Sequence, residues 1–134
     1  MGEQRYKRIN AHETTFQATG QIAYDATAKG GSPHVGKAVS RAGQGTVDLT
    51  NDGTEVFGKL ISVEHDGYCT IQEQGYCDLP FTGSMGYGDK SFVVGSATRG
   101  SVKAGTAVNN VVNQAVQPIC ADPIDATRVI VKFC

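Results

Sequence analysis

Apolar and polar residues alternate over short stretches of this chain, and glycine-bearing turns separate the stretches. Val47 and Leu49 share one face of a run whose other face carries Asp48 and Thr50. Phe57, Ile61 and Val63 are assigned to one face opposite Ser62, and Val129, Val131 and Phe133 line up against Arg128 and Lys132. A period of two puts successive side chains on opposite faces of a strand. Residues 46–50, 56–64, 68–72, 76–79, 91–94 and 128–133 are therefore predicted as strands. Turn signals fall between them at Asn51-Asp52-Gly53, His65-Asp66-Gly67, Gly86-Tyr87-Gly88-Asp89 and residues 95–100. Asp-Gly supplies the positive φ that tight hairpins demand, so hairpins are expected at Asp52-Gly53 and Asp66-Gly67. The spacing predicts an all-β fold, a small β-sandwich or barrel with short hairpins.

Two regions break the pattern. In residues 107–116, Val108, Val111, Val112 and Ala115 recur at helical spacing, yet the valines and asparagines there are poor helix formers. One short helix or a further strand fits that segment. Residues 1–20 carry only Tyr6, Ile9 and Phe16 as sizeable apolar groups and hold no sustained period. They read as an extended N-terminal arm, with residues 21–134 as a single β domain.

Composition narrows the function classes. At 134 residues and 14.1 kDa the chain affords one modest core. No apolar run approaches the roughly 20 residues of a membrane helix, so no membrane role is expected. The N-terminus is basic but lacks the apolar stretch of a signal peptide, which points to synthesis in a cytosol. Twelve Lys and Arg against 13 Asp and Glu give a net charge of -1, without the basic excess that phosphate binding uses, so direct nucleic-acid binding is disfavoured. The four cysteines Cys69, Cys77, Cys120 and Cys134 are expected to be free and mostly buried.

Each motif that could carry chemistry meets an obstacle. The run from Gly83 to Ser91 approaches a phosphate-binding loop, but Asp89 separates Gly88 from Lys90, and Phe92-Val93-Val94 reads as a strand where a helix is required. His65, Cys69 and Cys77 lack a close Cys pair for zinc, and four residues of strand would put His65 about 13 Å from Cys69. His12, His34 and His65 sit in turn-like or arm-like context without a nucleophile elbow. Glu73 with Asp78, or Asp122 with Asp125, could pair carboxylates for glycoside hydrolysis, but the chain has no Trp to build a sugar platform. Tyr68, Tyr76, Phe81, Tyr87 and Phe92 cluster in sequence and read as core or protein-interface aromatics. No cofactor, metal site or enzymatic activity is expected.

The runs Val56-Phe57-Gly58-Lys59-Leu60-Ile61-Ser62-Val63-Glu64 and Gly75-Tyr76-Cys77-Asp78-Leu79-Pro80, with the turn Gly88-Asp89-Lys90-Ser91-Phe92 and a closing strand over 128–133, resemble the bacteriophage capsid decoration (cement) proteins. The likeness spans residues 20–134. It implies a structural module of the virion, on the outer capsid surface, that binds the major capsid protein between capsomers and stabilises the DNA-filled head. It also implies assembly in a host bacterial cytoplasm and a homo-oligomer, trimer or dimer. On this expectation Arg5, Tyr6, Lys7, Arg8 and Phe16 of the arm contact the capsid, and Phe81, Met85 and Tyr87 serve self-association or capsid contact. The alternative is a carbohydrate- or host-binding β module on a phage particle, with Tyr68, Tyr76 and Tyr87 as its platform. A third reading, a small hydrolase or lyase, would draw on Asp66, Asp89 or His65.

Overall fold

The structure, a computed structural model, describes residues 12–88, 91–105 and 116–133. It is all-β. The strands are β1 (His12–Ala18), β2 (Ala38–Gly43), β3 (Thr46–Leu49), β4 (Gly58–Val63), β5 (Tyr68–Pro80), β6 (Val93–Gly95), β7 (Val102–Ala104), β8 (Val116–Ala121) and β9 (Arg128–Phe133). A 3-10 turn, Lys29–Gly31, interrupts the loop after β1. Among the described residues no helix is long and apolar enough to cross a membrane.

Five strands close into a barrel in the order β1-β3-β2-β4-β5, with β5 returning to β1. The β1–β3 pair is parallel and the other four are antiparallel. Closure gives every barrel strand a neighbour on both sides, which removes the exposed edge that an open sheet presents. The barrel interior is filled by Val39, Val47, Leu49, Leu60, Val63, Cys69 and Ile71, capped by Ile22.

The 13-residue β5 is longer than the barrel needs. Between Gln74 and Gly75 it changes partners: Gln74 faces His12 of β1, and Gly75 faces Phe133 of β9. Gly75 has φ of 86°, a backbone conformation that L side chains rarely adopt, so the turning point requires glycine. The fully buried Gln72 straddles it, its Nε2 donating to the carbonyls of Gln74 at 3.1 Å and Tyr76 at 3.0 Å. Beyond the turn, β5, β9 and β8 form an open sheet. With the β6–β7 hairpin it encloses a second core of Cys77, Leu79, Val93, Val102, Val116, Val129, Val131 and Phe133, so the chain holds two cores where its length led to the expectation of one.

Several sequence expectations change. Residues 68–72 and 76–79 are one strand, because Gly75 bends the chain without ending it. In β4 the buried positions are Gly58, Leu60 and Val63, while Phe57 precedes the strand and Ile61 is half-buried. The cause is a register shift between Leu60 and Ser62, which moves the pattern by one residue. Asp66-Gly67 turns the β4–β5 hairpin with Gly67 at φ of 88°. Asp52-Gly53 makes a turn but no hairpin, since β2 lies between β3 and β4; Gly53 N–H instead donates to the carbonyl of Gly95 at 2.9 Å.

The arm also contracts. Residues 12–18 are a barrel strand, and the half-buried Phe16 and Ala18 pack on the barrel core. Alternation is concealed there because the inward positions include the polar Thr14, whose hydroxyl donates to Glu73 at 2.6 Å. Residues 1–11 lie outside the described residues. So does the 107–116 segment apart from Val116, which opens β8 as a strand.

Candidate interaction surface

Asp78 sits on the face of β5 opposite Cys77 and Leu79, at the joint between the two cores. It is buried, and its carboxylate is shared by two cations: Lys59 Nζ on Oδ1 and Arg128 Nε on Oδ2, each at 2.6 Å. Burial alone would raise its pKa, but the hydrogen bond and charge of Lys59, joined by Arg128, outweigh burial and hold it at about 2. The Arg128 Nη2 also donates to the Gly36 carbonyl at 2.6 Å. One ion cluster thus ties β4, β5 and β9 to the loop between β1 and β2.

A second arginine clamps the other side. Arg99, in the β6–β7 turn, places Nη2 2.9 Å from Asp48 Oδ2 and 3.0 Å from the Leu49 carbonyl, while its Nε donates to the Thr50 carbonyl at 3.1 Å. Both arginines bind backbone oxygens as well as a carboxylate, which a planar guanidinium does better than an ammonium.

The loop from β8 to β9 is held by its own acidic residues. Asp122 Oδ1 accepts the Ile124 N–H at 2.9 Å; Asp125 Oδ1 accepts the Thr127 N–H at 2.9 Å and its hydroxyl at 2.6 Å. The Arg128 N–H closes onto the Asp125 carbonyl at 3.0 Å. Side-chain turns of this kind fix a loop without a core beneath it. The fixed loop holds Ile124 in solvent at 70% exposure, the highest among the exposed large apolar side chains described. Ile119 of β8, the extra residue at the shift between Pro118 and Cys120, is also exposed.

Beside the Gly36 contact lies an open cleft lined by Ala28, Lys29, Ser32, Pro33, Val35 and Ile61. The Gly36 N–H donates to the Leu60 carbonyl at 2.8 Å, so the cleft wall is fastened to β4.

The expected contact residues are dispersed. Arg5, Tyr6, Lys7 and Arg8 lie outside the described residues. Phe16 is turned inward, edge-on to Phe57 at 5.3 Å between ring centroids, and is committed to the barrel. Phe81 and Met85 pack on the second core, leaving Tyr87 exposed. Of the three platform tyrosines, Tyr68 is exposed and Tyr76 is half-buried with Lys132 Nζ 5.9 Å from its ring centroid. Those two stand eight positions apart along β5, roughly 25 Å at the usual rise of a strand. A different pair is brought together: Tyr24 lies edge-on to His65, at 6.4 Å between centroids.

The catalytic candidates are engaged in structure. Asp66 Oδ1 accepts the Tyr68 N–H at 3.1 Å within the hairpin turn. Glu73 accepts from the Thr14 hydroxyl, whereas Asp78 accepts from Lys59 and Arg128. Cys69 and Cys77 are buried in separate cores, where desolvation pushes their thiols up to about 11 and about 12, away from the reactive thiolate. Asp89 lies outside the described residues. Sequence reading missed Lys59, Asp78 and Arg128 as a unit. The available signal was an aspartate inside the apolar run Tyr76-Cys77-Asp78-Leu79, which needs a partner when the strand is covered on both faces.

The chain matches no known family model, no curated protein and no solved structure.

Proposed function

We propose that this chain is a structural decoration protein that binds the outer surface of a phage head between capsomers of the major capsid protein and stabilises the filled head. The observation that carries the reading is where the polar chemistry is spent. The ion cluster at Asp78, the Arg99 clamp and the aspartate-held turns all fasten strands and loops, and the rim they fix offers apolar contact at Ile124 and Ile119. The sequence resemblance supports the same reading. Repeated on a lattice, individually modest contacts act together through high effective concentration. The basic residues Arg5, Lys7 and Arg8, which precede β1, are suited to an acidic capsid surface.

The test is co-sedimentation of the purified chain with heads that lack it. Saturable binding and a higher temperature of DNA release are expected; absence from the pelleted heads at micromolar protein overturns the reading. The exposed Tyr68 favours a second reading, a carbohydrate- or host-binding module on the particle. Glycan-array binding that Tyr68→Ala abolishes, together with no binding to heads, would select it.

A further inference from the structure

We infer that the Ile124 loop and the 28–35 cleft form a self-complementary contact through which two copies of this chain pair, each inserting its Ile124 into the other's cleft. This deepens the decoration reading by naming a self-association surface.

Ile124 is a convex apolar side chain held in water by the Asp122 and Asp125 turns, so little conformational freedom remains to be lost when it docks. A protruding anchor of this kind needs a concave apolar receptor. The chain carries one: Ala28, Pro33, Val35 and the half-buried Ile61 supply its apolar lining. Ile124 does not line that cleft in its own subunit, and at 70% exposure it is free to enter another.

Anchor and receptor stand on either side of Arg128. Its N–H holds the anchor loop at Asp125, and its Nη2 holds the receptor loop at Gly36. That proximity is what a two-fold contact requires, since one patch must present both halves. Charge agrees with shape: the exposed Asp125 flanks the anchor, and the exposed Lys29 lines the cleft. The two meet across the two-fold, and repulsion between like patches is avoided.

The experiment is sedimentation velocity of the full chain over a concentration series, without heads, so that its outcome is independent of capsid binding. The wild type is expected to shift from monomer to dimer mass. Ile124→Asp should raise the dissociation constant about a hundred- to ten-thousandfold, the equivalent of losing two buried aliphatic side chains, one from each copy. Ala28→Glu, which alters only the cleft, should do the same. An equimolar mixture of the two variants should recover part of the pairing, because one intact anchor then meets one intact cleft. Unchanged circular dichroism of both variants verifies folding. A wild type that stays monomeric to millimolar concentration, or an Ile124→Asp chain that pairs as tightly as the wild type, overturns the proposal.

Discussion

The barrel and the open lobe that β5 joins solve the same problem by different means. The barrel closes on itself, so its strands satisfy one another and its core of Leu60, Ile71, Val39 and Val47 is wrapped on all sides. The lobe has three strands and a hairpin, with β8 at its margin among the described strands, and it is fastened to the barrel by Arg99 and Arg128. Closure makes the barrel self-sufficient, whereas the lobe depends on polar clamps. The difference also separates support from display: the apolar rim at Ile119 and Ile124 belongs to the lobe. Within the barrel, β1 is the exception, since none of residues 13–18 is fully buried.

The comparison is broken most severely at the joint. Asp78→Ala leaves Lys59 and Arg128 covered without a counter-charge and is expected to cost about 3–5 kcal/mol. Both regions should lose stability together in a single urea transition. An unchanged urea midpoint for either region in Asp78→Ala would show that the cluster does not support both.

Next in size are paired core truncations. Leu60→Ala in the barrel is expected to cost about 2–5 kcal/mol, and Val131→Ala in the lobe somewhat less. Native-state hydrogen exchange distinguishes them: the barrel change should raise exchange throughout, the lobe change chiefly in β8 and β9. Equal exchange profiles for the two variants would remove the distinction between the regions.

Acid sharpens the same point. The Asp78 pKa is depressed in the folded protein, so its stabilising effect, about 2 kcal/mol, is complete above the unfolded value near pH 4. It is lost as the pH falls from about 4 to about 2. Chemical denaturation across that window should show the loss in the wild type and a flatter profile in Asp78→Asn.

The smallest effect is at β1. Phe16→Ala removes a half-buried ring and should cost about 1–2 kcal/mol, below the value for a fully buried Phe. Cys69 Sγ lies 3.3 Å from the Phe16 carbonyl, so loosening β1 should expose Cys69 to a thiol reagent while Cys77 in the lobe stays protected. Equal labelling of both thiols would mean that β1 is no weaker than the rest.

Period-two alternation and Asp-Gly punctuation made the all-β class legible, and the closing strand Arg128–Phe133 was read with its bounds intact. Its inward Val129, Val131 and Phe133 were read too. Closure was not legible, because it rests on β1 meeting both β3 and β5, contacts distant along the chain and made by a strand with polar inward positions. The β4 face was misread because a bulge shifts the phase without changing composition. The contact surface was sought among the basic and aromatic residues of the arm and at Phe81, Met85 and Tyr87, of which Phe16, Phe81 and Met85 pack on the cores. Ile124, between Asp122-Pro123 and Asp125, was not singled out. Only the hydrogen bonds that hold it outward mark it.

The most direct test of the proposed decoration is electron cryomicroscopy of DNA-filled phage heads that lack this chain, after incubation with the purified protein. Density for the barrel and lobe at capsomer junctions on the outer surface, repeated with the lattice symmetry, is the result predicted. Heads whose outer surface carries no such density at saturating protein would contradict it.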